Sequence, residues 1–346
     1  MRKTIHNWDA WLATATLPLT NERGTLLSFL VHGVFQSQEE AFSGLLDPQQ
    51  SFTVDMLREF IEHFACAGYQ FVSPQQMAAG LSGDGKYVLL TFDDGYYTNI
   101  RVVPVLEEFN IPAVFFISSD HVKLGKAFWW DVVYREYKKR GRTAKEIHRA
   151  SARYKLFRTS EVEFDLREHF GESALSPMGD LDRPFTTGEL SELAQHRLVS
   201  FGNHTKDHAI LTNYSAAEVK EQIAGAQDAI GEITSKTPAI IAYPNGNHSK
   251  EILSIARTVG LQFGLVTRAG HNHAPQECGA DSALTLKRFT LWGDRPVEGQ
   301  CRTSRSSLSL YRVLDGLRKE RGLSAQGPSF TRKGKSVASS AGSQQV

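Results

Sequence analysis

"LLTFDDGYYTN", residues 89–99, places two carboxylates side by side at the end of an apolar run. Side chains alternate faces along a strand, so Leu89, Leu90 and Phe92 read as buried strand, and Asp93 and Asp94 arrive where the strand becomes a loop. There, one of them can point into a site. Taken alone, an Asp pair before Gly95 equally suits a turn or a helix cap, where carboxylates accept bonds from nearby backbone N–H groups. The choice depends on what stands at the ends of the other strands.

Working outward, "TLLSFLVHGV" (25–34) is an apolar run ended by His32 and Gly33, and "PAVFFIS" (112–118) is another. Between them "TVDMLREFIEHFACAGY" (53–69) reads as a helix: Thr53 can cap it, Val54, Leu57, Ile61 and Phe64 recur at helical spacing, and Gly68 ends it. Ile100, Val103, Leu106 and Phe109 make a second helical face, with Pro104 in its first turn or at a kink. The strand–helix rhythm returns after residue 185. "VSFGNHT", "AIIAYPNG" and "FGLVT" read as strands, separated by the helical stretches "SAAEVKEQIAGAQDAIGEI" and "SKEILSIARTVG", and "LTLKRFTLW" is the last strand candidate. Repeated βα units predict an α/β protein with a parallel sheet, open or closed into a barrel.

Residues 120–184 differ in character. "KAFWWDVVYREYKKRGRTAKEIHRASARYKLFR" is rich in helix formers, aromatics and basic residues, and we read it as a helical insertion. The basic residues from Lys138 to Arg158 fit a solvated helix face or, alternatively, contact with an anionic polymer or membrane. From about Leu323 the chain is small, polar and basic, a composition that predicts disorder. The expected organisation is therefore an N-terminal extension (1–24), a main α/β domain (25–295) carrying the insertion, and a C-terminal helix with a basic tail (296–346).

With 346 residues, 41% of them apolar and 22% charged, the chain can bury a full core, and its net charge of +1 gives no reason to expect nucleic acid. Cys66, Cys278 and Cys301 are odd in number and lack a CxxC, which argues against a disulfide framework or a thiolate metal site and suits core residues. "MRKTIHNWDAWLATATLPL" has no signal-peptide apolar region, and no stretch approaches the roughly 20 apolar residues of a membrane span. We expect a cytoplasmic protein, with peripheral association to a membrane through partners compatible with that.

In parallel α/β folds function gathers at the carboxyl ends of strands. The polar residues there are His32; Asp93 and Asp94; Asn203, His204, Asp207 and His208; Tyr243, Pro244, Asn245 and Gly246; and Arg268. Two histidines and a carboxylate from separate strand ends are a common ligand set for a metal with an open position. His204 and His208, four apart, would also suit an exposed helix face.

"TFDDG" (91–95) followed by "HTKDH" (204–208) resembles the first two motifs of the polysaccharide deacetylase family, the NodB-homology domain of carbohydrate esterase family 4. "VHGV" near the N-terminus, "FWWD" (128–131) and "AYPNG" (242–246) are also similar, the last to the YPxG form of the branch that modifies exopolysaccharides. The likeness covers roughly residues 25–295, the insertion only loosely.

The resemblance implies a distorted (β/α)7-type barrel with a helical insertion, and a divalent metal, usually zinc. Asp94, His204 and His208 would hold the metal, Asp93 would be the general base, and the Asn245 backbone N–H would help stabilise an oxyanion. His32, Tyr243, Pro244 and Trp130 are the substrate-binding candidates. Trp130 suits hydrophobic anchoring as well as stacking on a sugar ring. The substrate so implied is an N-acetylated glycan or glycan precursor, and the partners so implied are other glycan-biosynthesis proteins or a membrane surface.

Two departures stand out. Where many members carry an arginine in an RxPxG turn, this chain has Ala242, and Arg288 in "LTLKRF" is the candidate replacement. The family's late acid histidine is not evident, and His271 in "RAGHNHAP" is the candidate for that role, with Asp93 itself as another route for the proton. Alternative readings are an amidase acting on a non-sugar amide and a catalytically silent carbohydrate-binding or assembly protein. A magnesium phosphoryl-transfer site is disfavoured, since such sites are usually all oxygen.

Overall fold

Seven apolar runs form parallel strands: Thr25–Val31 (β1), Lys86–Phe92 (β3), Ala113–Ile117 (β4), Val199–Asn203 (β5), Ile240–Ala242 (β6), Phe263–Val266 (β7) and Leu286–Thr290 (β9). β1 pairs with both β3 and β9, so the sheet closes on itself as a (β/α)7 barrel. Closure is uneven, with β5 and β6 meeting only at Asn203 and Ile241. Two short strands escape sequence inspection: Gln70–Phe71 (β2) lies parallel to β3, and Asn272–His273 (β8) runs antiparallel to the start of β1. The computed structural model describes residues 11–273 and 280–308. Cys278, the first ten residues and the basic tail fall outside that range.

The strand period sorts side chains into two layers. Leu26, Leu89, Val114, Phe116, Ala242, Leu265 and Leu286 share one apolar cluster within the barrel. Leu27, Phe29, Val31, Val88, Leu90, Phe92 and Phe115, from the opposite faces of β1, β3 and β4, pack with Phe201 of β5 on the surrounding helices. In helix Val54–Cys66 the Thr53 hydroxyl accepts from the Met56 N–H (3.3 Å), and Val54, Leu57, Phe60, Ile61 and Phe64 form the buried stripe. Each fully buried aromatic or aliphatic side chain of this kind contributes about 1.5–3 kcal/mol.

Between β4 and β5, helices Ser119–Leu124, Trp129–Lys139, Ala144–Tyr154 and Thr159–Phe170 fill the segment read as an insertion. Trp129, Trp130, Val132, Val133, Val162, Leu166 and Leu175 build a core of their own, joined by Phe35 and Leu46 from the loop after β1. A buried ion pair of 2.6 Å, Arg135 Nη1 to Asp182 Oδ2, ties the insertion's last turn back to its second helix. No described helix is long and apolar enough to cross a membrane.

Candidate active site and metal centre

Alternation sends Leu89, Thr91 and Asp93 into the barrel and would send Asp94 outward. Asp94 instead has φ of 75°, a left-handed conformation that few non-glycine residues adopt, and Gly95 follows at 89°. The reversal turns the second carboxylate back over the barrel mouth, so both neighbours reach one site. The same device recurs at Thr205 (φ 64°), His208 (56°) and Asn245 (58°), all in strand-end loops around it. Left-handed non-glycine residues cost free energy and persist where surrounding contacts hold them. Here those contacts include Ser119 N–H to Thr205 O (3.2 Å) and Ala209 N–H to Thr205 Oγ1 (2.8 Å).

Asp93 is buried and gripped by Arg288, which rises from β9 on the inner face. Nη1 donates to Oδ1 at 2.7 Å and Nη2 to Oδ2 at 2.9 Å. Nη1 also donates to Thr91 Oγ1 (3.1 Å), whose hydroxyl donates to the Phe29 carbonyl (2.7 Å). Burial pushes the Asp93 carboxyl up, but the guanidinium, helped by His204, outweighs it and holds the group below the usual carboxylate value. Asp93 is therefore an ionised carboxylate in a fixed orientation.

Asp94, His204 and His208 converge, their ligand atoms all lying within 4.8 Å of one another. His204 Nε2 and His208 Nε2 stand 3.2 and 3.3 Å from Asp94 Oδ1, and His32 Nε2 is 3.9 Å from Oδ2. His204 Nδ1 donates to the Ala242 carbonyl at 2.7 Å, which leaves its Nε2 lone pair facing inward. Burial disfavours a charged His204 ring, but Asp94 and Asp93 outweigh that and raise its pKa; burial, reinforced by His204, pushes His208 well down. Both Asp94 oxygens are buried without a hydrogen-bond partner among the described residues. An uncompensated buried carboxylate is costly, and two imidazole nitrogens aimed at it complete the donor set of a divalent cation. The residues fit a metal.

Asp131 and Tyr96 back this site. Trp130, 8% exposed, sets its ring 4.5 Å from that of His208, and its Nε1–H donates to the Tyr96 hydroxyl (2.7 Å), which donates to Asp131 Oδ2 (2.7 Å). Trp130 thus buttresses the His208 ring. Gln50 orients His32, whose Nδ1–H donates to Gln50 Oε1 (2.7 Å). Gln50 and Tyr96 escape sequence reasoning because neither stands at a strand end. Asp207 is half-buried, and burial pushes its carboxyl up to about 6.

Pro244 and Asn245 lie in the turn after β6, whose Asn245 Nδ2–H donates to Asn247 Oδ1 (2.7 Å). Two expected positions are corrected. Tyr243 is fully buried on the outer side of the barrel, with Ile241, Ile252 and Leu253, because alternation points it away from the face of Ala242. His271 directs its Nε2–H to the Ser304 carbonyl (2.7 Å), since β8 turns this segment toward the start of β1 and away from the strand ends.

The sequence profile described as polysaccharide deacetylase matches residues 81–264, more than half of the 346. The chain belongs to the polysaccharide deacetylase family. Among curated relatives of this deacetylase-family chain is YxkH of Bacillus subtilis (strain 168), which carries the name of a polysaccharide deacetylase and is 24% identical over 208 residues, 59% of this chain and 54% of its own. The chain thus spans about half the length of the curated relative it matches. Similar solved structures are BC0361, a polysaccharide deacetylase from Bacillus cereus (17% identity, 81% of this chain and 69% of that one, TM-score 0.56), and the Streptococcus pyogenes deacetylase PplD in complex with acetate (19%, 81% and 98%, TM-score 0.54). At these identities they share the fold.

Proposed function

We propose that this chain is a metal-dependent deacetylase that hydrolyses the N-acetyl group of an N-acetylated sugar in a polysaccharide, oligosaccharide or lipid-linked precursor. The observation that carries this reading is the Arg288–Asp93 pair beside the Asp94, His204 and His208 cluster. One carboxylate is reserved for proton transfer, and the other is left for a cation.

Asp94, His204 and His208 would hold a divalent ion, zinc by the two imidazole donors. When bound, such an ion supplies Lewis acidity, polarising the acetamide carbonyl and acidifying water. Asp93, ionised and fixed by Arg288, takes a proton from the attacking water and returns it to the departing amine. The backbone N–H of Asn245 serves as oxyanion donor, a role often contributing about 3–4 kcal/mol. His32 and Pro244 line the approach, and Trp130 acts by fixing His208. The sequence "AYPNG" supports placement in the YPxG branch that modifies exopolysaccharides, and the expected cytoplasmic location favours a precursor as substrate.

Of the two departures that favour the silent-protein alternative, Arg288 answers the first by supplying the charge missing from the Ala242 turn, and Asp93 as carrier of the returning proton answers the missing acid histidine. The test is acetate release from N-acetylglucosamine oligomers with metal removed and restored, beside Asp93→Asn. Metal-dependent release abolished in the variant supports the assignment; a loaded protein that releases nothing from any N-acetylated glycan overturns it.

A further inference from the structure

Between Lys138 and Arg158 stand nine Lys or Arg residues and a single acidic one, Glu146, in a chain whose net charge is only +1. Several are committed locally. Lys139 pairs with Glu136 (2.8 Å), Arg142 with Glu146 (3.3 Å) and Arg158 with Glu218 (2.8 Å), while Lys138 and Arg140 lie over the rings of Tyr134 and Phe170. Lys145, Arg149 and Arg153 are exposed and form no ion pair with a described residue. They recur every four residues along helix Ala144–Tyr154, opposite the buried Ile147. The line continues into two exposed apolar residues, Leu156 (69%) and Phe157 (43%).

We propose that this basic stripe and the Leu156–Phe157 tip dock on the surface of an anionic lipid bilayer. The unpaired positive charge calls for an anionic partner, and a soluble polyanion gives no reason to hold a leucine and a phenylalanine in water at the end of the stripe. Basic side chains beside protruding apolar ones are the combination that binds the bilayer interface. The tip is also fastened to the barrel mouth: Asn213 Nδ2 donates to the carbonyls of Lys155 and Phe157 (3.0 Å each), and Lys155 Nζ donates to Asn245 Oδ1 (3.0 Å). Docking there sets the site opening beside the headgroups, where a lipid-linked glycan is presented. That consequence rests on the deacetylase reading, whereas the docking does not.

The test is co-sedimentation of the full chain with phosphatidylglycerol–phosphatidylcholine vesicles and with phosphatidylcholine alone. Binding is expected only to the anionic vesicles. At about fivefold per basic side chain near the surface, Lys145→Ala/Arg149→Ala/Arg153→Ala should weaken it on the order of a hundredfold. Leu156→Ser/Phe157→Ser should weaken it by roughly tenfold or more. Unchanged melting and unchanged metal uptake in both variants establish that the fold is intact. Failure of the wild type to bind anionic vesicles, or full affinity in the triple variant, overturns the proposal. So does full vesicle affinity in the serine variant together with equally tight binding to soluble polyphosphate, which would assign the stripe to a polyanion. Acetate release from soluble oligomers is measured in parallel, so loss of the reaction and loss of docking are read separately.

Discussion

The guanidinium of Arg288 meets the carboxylate of Asp93 through two parallel hydrogen bonds of 2.7 and 2.9 Å across 195 residues of chain. Both groups are buried, so removing one leaves the other uncompensated. Arg288→Ala should cost about 3–5 kcal/mol of stability, read by chemical denaturation. It should also free Asp93 to follow its burial, raising its pKa. With Asp93 as the proposed base, the acidic limb of the pH–rate profile then moves to higher pH, because the carboxyl is protonated where it was ionised. Arg288→Lys keeps a charge without the fork and should recover only part of both effects.

In the proposed mechanism metal binding and proton transfer fall to different side chains, and two substitutions separate them. His204→Ala should lose the ion, measured as metal retained after dialysis. Asp93→Asn should retain it and lose about 10²–10⁴-fold in turnover. Full metal and full activity in both would end the assignment.

Gly246 has φ of +75°, and a Cβ there would lie 2.4 Å from Thr267 Oγ1 and 2.8 Å from the Thr267 backbone nitrogen. Gly246→Ala should destabilise the protein by more than about 1 kcal/mol. Because the turn carries Asn245, activity should fall further than the lost stability accounts for, as seen by comparing turnover and thermal midpoint in the same preparation.

Far from the site, Glu22 accepts from Arg305 Nε (2.7 Å) and Nη2 (3.0 Å) and from the Tyr69 hydroxyl (2.6 Å). Burial raises its pKa, but these partners outweigh burial and hold it below the ordinary 4.5. A depressed carboxyl stabilises the fold above its unfolded pKa, and that stability is lost as pH falls through the lower folded value. The gap in unfolding free energy between wild type and Glu22→Gln should therefore be widest near neutrality and close on acidification. A gap that stays constant with pH would contradict this.

The barrel was legible because its strands are short apolar runs ending in polar turn residues, a pattern written locally in the chain. So was the convergence of Asp94, His204 and His208, since "TFDDG" and "HTKDH" each stand at such an end. Tyr243 was misplaced by counting strand-end residues without their alternation: Ala242 already occupies the inner face, so its neighbour must point out. Nothing local marks β8 as antiparallel, and that pairing is what carries His271 away.

The sequence by itself determined the order of the seven barrel strands and the arrival of Asp93, Asp94, His204 and His208 at the barrel mouth, because hydrophobic period and turn chemistry act over a few residues. Only the tertiary structure decided which of those groups face one another. The left-handed turn at Asp94, the Arg288 fork on Asp93 and the carbonyl of Ala242 on His204 depend on strands far apart in the chain, brought into register by closure of the sheet.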